Sequence, residues 1–317
     1  DIHFSNFYTN TLNVNPANTG NFVGKLRFCS AYRDQYRTVA QPYQTFTANF
    51  EGKRIKRYRN DFMGYGLLFN FDKSGDANYS TAQIGIPFSY LFPLASGKFI
   101  LSGGIQPSLF YNSIDYNSLV FQEQYDGIKY NPDIEISENF ETNSALYLNL
   151  AAGALAIFKA SKTQSYTFGV AVFNINRPNI SFFDDEAVQL KSRTMLHGTA
   201  DISVTSDFDV IPGFKIQFQG KQQEYHFGGM CVKYFDKSPI SQIQSGIWFR
   251  SKNKDAIILG LGCSYQQFDI MLNYDVNISS LRTVSYGQGA FEITVSYIVE
   301  NSNRNKRMTA IRCPHTL

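Results

Sequence analysis

Phe291-Glu292-Ile293-Thr294-Val295-Ser296-Tyr297-Ile298-Val299 alternates apolar and polar side chains, with Ile298 the one exception. A period of two marks a β-strand, because successive side chains there point to opposite faces. Phe291, Ile293, Val295, Tyr297 and Val299 share one face; Glu292, Thr294 and Ser296 share the other. The pattern recurs in Phe268 to Val276, where Asp269, Met271, Asn273 and Asp275 form the second face. It recurs again in Ile257 to Tyr265 and in Met63 to Phe71, with Gly260, Gly262, Gly64 and Gly66 on the small-residue face. A soluble barrel turns its apolar face inward, and a membrane barrel turns it outward to lipid. Periodicity alone fits both.

Extended along the chain, this reading gives strands near 22–33, 44–53, 62–72, 79–93, 97–114, 143–159, 165–177, 191–205, 210–220, 223–235, 240–251, 255–265, 267–278 and 283–299. That makes fourteen, an even number, as bacterial single-chain barrels have. Many reach the ~9–11 residues that a tilted membrane strand needs, whereas soluble strands average about 5–6. The connections alternate in length. Leu94-Ala95-Ser96, Ala160 to Ser165, Asp236 to Pro239 and the turn at Gln266 are brief and are assigned to the periplasm. Asp115 to Thr142 and Pro178 to Leu190, on the opposite side, are long, and the one exception is the Lys53 to Arg59 connection on the periplasmic side. The expected fold is therefore all-β, a transmembrane antiparallel barrel of about 14 strands. It forms one domain over 1–317, with 1–21 as an N-terminal periplasmic segment and 300–317 as a C-terminal periplasmic tail.

Composition agrees. Aromatic residues make up 15% of the 317 residues and charged residues only 17%, against roughly 25% charged in soluble domains. The longest apolar stretch, Ala145 to Phe158, falls short of a membrane helix and contains Asn149. A net charge of +3 is too mild for nucleic acid, and none is expected as a partner. No leader precedes Asp1, so the numbering is read as that of a mature chain. Cys29, Cys231, Cys263 and Cys313 lack metal or redox spacing, as do His3, His197, His226 and His315. No cofactor and no metal is expected.

The motifs that could carry chemistry read better as structure. Gly64-Tyr65-Gly66 and Gly260-Leu261-Gly262 lack the third glycine and helix of a dinucleotide site, and read as small residues on a crowded face. Asp72-Lys73-Ser74-Gly75-Asp76 lacks the downstream glutamate of a calcium loop and reads as a turn. Asp269, Asp275 and Glu292 could serve acid–base chemistry, but on this pattern they face a watery lumen and pair with Lys25, Arg27 or Arg250. No nucleophile elbow is present, and the chain is read as no enzyme. Two segments are candidates for partner binding. Asp115 to Thr142 carries seven carboxylates against Lys129 alone, with Tyr116, Phe121, Tyr125, Tyr130 and Phe140 among them and Glu135 and Glu138 near its end. Aromatic and acidic side chains together suit protein recognition. Lys53, Arg54, Lys56, Arg57 and Arg59 form a basic run suited to anionic headgroups or an acidic partner.

The opening Phe4-Ser5-Asn6-Phe7-Tyr8, the turn Leu12-Asn13-Val14-Asn15-Pro16-Ala17-Asn18-Thr19-Gly20 and Tyr32-Arg33-Asp34-Gln35-Tyr36 resemble the start of the PorP/SprF family. Asn6 stands for the family's Gln, and Tyr36 for its Trp. Gly246 to Arg250, Asp255-Ala256, Tyr274-Asp275, Ser279 to Leu281, Gly289 to Ile293 and Arg312-Cys313-Pro314 resemble its later elements, with Phe291 for the usual His. The resemblance implies an outer-membrane barrel of the type IX secretion and gliding machinery. It implies as partners the translocon, outer-membrane lipid, the type B C-terminal domain of a secreted adhesin or other cargo, and periplasmic ring or peptidoglycan-binding proteins. An adaptor or anchor role is thereby expected; the alternative is a diffusion porin or small-molecule transporter.

Overall fold

The computed structural model describes residues 2–299 except 3, 38–40, 56–60, 132, 135–141, 184, 186, 237, 252–254 and 281. Fifteen strands follow in order: β1 Leu26–Gln35, β2 Tyr43–Ile55, β3 Phe62–Ser74, β4 Tyr79–Gly85, β5 Phe88–Leu94, β6 Phe99–Ser113, β7 Ser144–Lys159, β8 Gln164–Phe173, β9 Arg193–Thr205, β10 Phe208–Gln219, β11 Gln222–Tyr234, β12 Ile240–Ser251, β13 Ala256–Tyr265, β14 Phe268–Asn277 and β15 Gln288–Val299. Each pairs antiparallel with its neighbours, and β1 pairs with β15, which closes the sheet on itself. β4 and β5 are two halves of one stave. Pro87 lacks an N–H and breaks the ladder, yet Gly85↔Ser108 and Phe88↔Ile105 on β6 keep the same register across it. The result is a closed barrel of 14 staves.

The alternation resolves the inside-or-outside question. On β6, Phe99, Leu101, Ile105, Leu109 and Tyr111 are exposed, while Ser102, Gln106, Ser108 and Asn112 are buried. On β15, Phe291 is 44% exposed, whereas Glu292 and Thr294 are 0% and 1% exposed. Polar residues are inside and apolar residues outside, the inverse of a soluble protein. A continuous apolar surface of this extent is stable in lipid and not in water. At the short-turn end its rim is aromatic: Phe28 packs on Phe50 at 4.9 Å, Phe268 on Tyr297 at 4.8 Å and Phe99 on Phe158 at 4.6 Å. Such girdles sit at the headgroup level. No helix among the described residues is long and apolar enough to cross a membrane, which is no obstacle for a protein that crosses with strands.

Fourteen staves lie where the sequence predicts them, with three shifted ends, one of them at Phe173 and not 177, because Asn174 and Arg177 take left-handed backbone. The first begins at Leu26 and not near 22, because Asn21 to Lys25 carry the chain from the lumen to the wall. The last begins at Gln288: Arg282–Ser285 forms one helical turn (α2), and Tyr286 and Gly287 take left-handed backbone that no strand holds. The larger correction concerns 1–21. Expected as a periplasmic segment, its described part lies inside the lumen. Phe4 to Phe7, Leu12 and Val14 to Phe22 are buried, with a four-residue helix Thr11–Val14 (α1) and a 3₁₀ turn Pro16–Asn18 between. The tail 300–317 lies outside the described residues.

Candidate functional site

The N-terminal segment rises through the lumen from the short-turn end to the long-loop end. Near the base, Gly20 N–H donates to Glu51 Oε2 at 2.8 Å, and Arg27 holds the same carboxylate through Nε at 2.8 Å. Ser89 Oγ donates to the Thr19 carbonyl at 2.5 Å, and Ser102 Oγ to that of Ala17 at 2.7 Å. At mid-height Asn15 Nδ2 donates to the carbonyls of Ala154 and Val170, at 3.0 and 3.2 Å. The wall is smooth where the segment presses on it. A Cβ on Gly104 would stand 2.5 Å from Ala17 N, and one on Gly64 would meet the Thr19 carbonyl. The crowded face read from Gly64-Tyr65-Gly66 is this contact.

Higher still, Phe7 and Val14 join an apolar cluster with Met195, Ile211, Met230, Val232, Trp248, Ile258 and Met271 from the wall. The Tyr8 ring lies 5.7 Å from that of Trp248, the sole tryptophan. Beside this cluster four charges meet on Ser5. Arg33 pairs with Asp275 at 2.9 Å and with Glu292 at 3.4 Å, and Arg250 pairs with Asp275 at 2.9 Å. Glu292 accepts from Ser5 N–H at 2.7 Å and Asn6 N–H at 3.0 Å, and Ser5 Oγ donates to Asp275 at 2.8 Å. Buried carboxylates need such partners, since desolvation otherwise outweighs the ionised form.

The expected pairing of Asp275 with Arg250 is present. Arg27 instead serves Glu51, and Asp269 accepts from Gln242 at 3.4 Å. Arg33, the centre of the network, was not among the expected partners, although it stands directly opposite Glu292 on the neighbouring stave. Its only signal in the sequence was its place in Tyr32-Arg33-Asp34. Asp275, Glu292 and Glu51 thus seat a plug and do not face open water, whereas Asp269 bonds only to the wall.

At the long-loop end, Tyr125 and Tyr130 form an isolated antiparallel bridge, 57% and 45% exposed, around a turn in which Asp126 Oδ1 accepts from Ile128 and Lys129 N–H at 2.9 and 2.8 Å. Those two bonds to an exposed carboxylate hold the Asp126 pKa below the usual range. Ile128 and Val120, which no pattern in the sequence marks, are more exposed still, at 88% and 69%. Tyr116 and Phe121 are half-buried. Phe183, on the neighbouring loop 174–192, is also exposed at this end, as is Tyr286 on loop 278–287 across the barrel mouth. Glu135, Glu138 and Phe140 lie outside the described residues, as do Lys56, Arg57 and Arg59. Of the basic run, Arg54 is exposed, but Lys53 turns inward. It bonds the Phe22 carbonyl and sits 5.0 Å from the Phe22 ring centroid, holding the foot of the plug.

A closed barrel with a polar, filled interior and an apolar, aromatic-rimmed exterior is an integral outer-membrane β-barrel. Residues 1–297 match the family model of the type IX secretion system membrane protein PorP/SprF, and the chain belongs to that family. No curated protein matches it in sequence. Its fold is similar to that of the toluene transporter TbuX of Ralstonia pickettii, with a TM-score of 0.55 at 10% identity over 92% of this chain and 94% of that one. It is also similar to the CymD monoaromatic hydrocarbon channel, with 0.54 at 10% over 92% and 93%. The toluene transporter TodX of Pseudomonas putida scores 0.51 at 8% over 94% of both. At such identities the likeness is one of fold alone. Family and fold are those of non-enzymatic outer-membrane proteins.

Proposed function

We propose that this barrel is an adaptor or anchor of type IX secretion, holding an exported protein at the cell surface through its long-loop end. The observation that carries the reading is the plug. A lumen occupied by the chain's own residues 4–22, tied at base, middle and top, is not an open pore, which turns attention to the rim and its loops. This weighs against the diffusion porin or small-molecule transporter. Loops longer than about 12–15 residues inside a compact fold are usually functional or disordered, and 114–143 exceeds that length.

The recognition surface in this reading is Tyr125 and Tyr130, joined by Val120, Ile128 and, on the neighbouring loop, Phe183. Tyr116 and Phe121 belong to the same loop and are half-buried. Glu135, Glu138 and Phe140 complete its acidic, aromatic stretch. Aromatic anchors carry most of an interface's energy, and carboxylates mainly steer approach. The occupant is the C-terminal domain of a secreted adhesin or other cargo, in association with the translocon. Arg54, with Lys56, Arg57 and Arg59, is left for lipid headgroups or a periplasmic ring or peptidoglycan-binding protein. Participation in gliding motility belongs to the same proposal.

The double variant Tyr125→Ala/Tyr130→Ala tests it. Quantitative proteomics of intact-cell surface fractions should find a retained protein reduced by roughly tenfold or more, the effect of losing about 1.4 kcal/mol or more at an anchor. Heat-modifiable migration of the barrel should not change. A surface proteome identical to wild type, with the barrel assembled, contradicts the proposal.

A further inference from the structure

At the long-loop end, the barrel mouth holds a cavity of about 450 Å³ above the plug. This lies within the ~300–1,000 Å³ of small-ligand sites. One sector of its wall comes from β2, β3 and β4. There Thr45, Asp72 and Thr81 stand side by side in one row across the three strands, and Ser74 and Tyr79 face each other one pleat nearer the loops. Among the described residues, Asp72 is the sole carboxylate that lines the cavity. It is half-buried. Its Oδ1 accepts from Thr45 Oγ1 at 2.6 Å, while Oδ2 has no hydrogen-bond partner among the described residues and is reached by solvent.

The other carboxylates of the upper barrel have cations. Asp275 has Arg33 and Arg250, Glu292 has Arg33, and Asp255 has Arg250. Two cations line the cavity, and neither pairs with Asp72. Arg33 stands on the far side of Thr45, on β1, and is committed to Asp275 and Glu292. Arg193, on β9 across the mouth, donates to the Ile2 carbonyl at 3.2 Å and lies over the Phe173 ring at 4.5 Å. The pleat turns Lys73 to the outer face. A carboxylate drawn partly out of water favours a positive partner. Aromatic rings stand near it: Tyr79, then Phe110 and Tyr147, which stack with centroids 5.3 Å apart at 6°. Ring faces attract cations as well.

We infer that this vestibule binds a primary ammonium group on an apolar stem, with Asp72 as its counter-ion. Such a group has three donors and no acceptor. Asp72 Oδ2 takes one in a charge-assisted bond, and the hydroxyl oxygens of Thr81 and Ser74 take the others. The stem lies along Tyr79, Phe110 and Tyr147. A metal ion fits less well: no group of three or more His, Cys, Asp or Glu among the described residues could hold one, and hard cations gather several oxygen ligands. An anion would meet Asp72. The same ammonium group is carried by free amines and by the lysine side chain of a surface protein, and the test separates the two. This inference stands independently of the cargo-holding reading, since it concerns the barrel mouth and not the loop tips.

The full chain, purified in detergent, is titrated by calorimetry with tyramine, cadaverine and Nα-acetyl-lysine methylamide. Tyrosol and phloretate, the hydroxyl and carboxylate counterparts of tyramine, are the controls. The expected result is binding of at least one of the three ammonium probes, with tyramine favoured over tyrosol and phloretate if it is the one bound. Asp72→Asn keeps the shape and an acceptor for Thr45, and should weaken binding by roughly tenfold or more. Tighter binding of the lysine derivative marks a protein side chain as the ligand, and tighter binding of tyramine or cadaverine marks a free amine; either supports the site. Three results would each overturn the inference: none of the ammonium probes bound, tyrosol or phloretate bound as well as tyramine, or the same affinity in an assembled Asp72→Asn barrel. If that variant does not assemble, the comparison of probes on the unaltered chain decides.

Discussion

Arg33→Met is expected to cost about 3–5 kcal/mol of barrel stability, the typical penalty for stripping one partner from a buried ion network. The arginine is 1% exposed and faces Asp275 and Glu292, both 0% exposed. Methionine fills most of its volume, so the loss is electrostatic and not a cavity effect. Asp275 keeps Arg250, but Glu292 is left with only the Ser5 and Asn6 N–H groups of the plug. The double variant Arg33→Met/Glu292→Gln removes the orphaned charge and should recover much of the loss, an interaction of the kind a double-mutant cycle isolates. Urea titration of the barrel in lipid vesicles, read by heat-modifiable migration, measures both. An unchanged midpoint for the single variant would mean that the network does not hold the plug.

The second large effect is on the outer face. Leu261 lies mid-way along β13 and is 61% exposed, toward lipid. Leu261→Arg should cost about 2–4 kcal/mol, the depth-dependent penalty for arginine at the bilayer midplane. The same substitution on a water-facing surface stays within about ±0.5 kcal/mol. The yield of folded barrel in vesicles separates the two, and a near-neutral outcome would place this face in water.

The wall was legible in the sequence and the plug was not, for a physical reason. A stave declares itself locally, because alternating burial prints a period of two into ten adjacent residues, as in Phe268–Asn277. Residues 4–22 carry no period. Their order comes from partners far away in the chain: Asn15 meets Ala154 and Val170, Ser5 meets Asp275, and Ala17 meets Ser102 and Gly104. No local window contains those contacts. Traces of them were nonetheless visible. The small-residue face at Gly64 was recognised as crowded without the crowding object. Ser5, Asn15, Gly20, Arg33, Arg250, Asp275 and Glu292, which carry the family resemblance, are residues that seat the segment. Lys53 misled for a similar reason. In sequence it heads a basic run, but the pleat turns it inward to Phe22 while Arg54 turns outward. At the rim, Tyr125 and Tyr130 were legible as aromatics in an acidic loop. Ile128 and Val120 were not, since an isolated aliphatic residue in a loop gives no pattern to read.

On the proposed reading the plug closes the barrel and leaves its rim to do the work. Single-channel recording of the purified full chain in a planar bilayer tests it most directly. The account predicts a silent membrane with the intact chain, and ion conductance when residues 2–22 are removed from a barrel that still assembles. Steady ohmic conductance through the intact chain would contradict it.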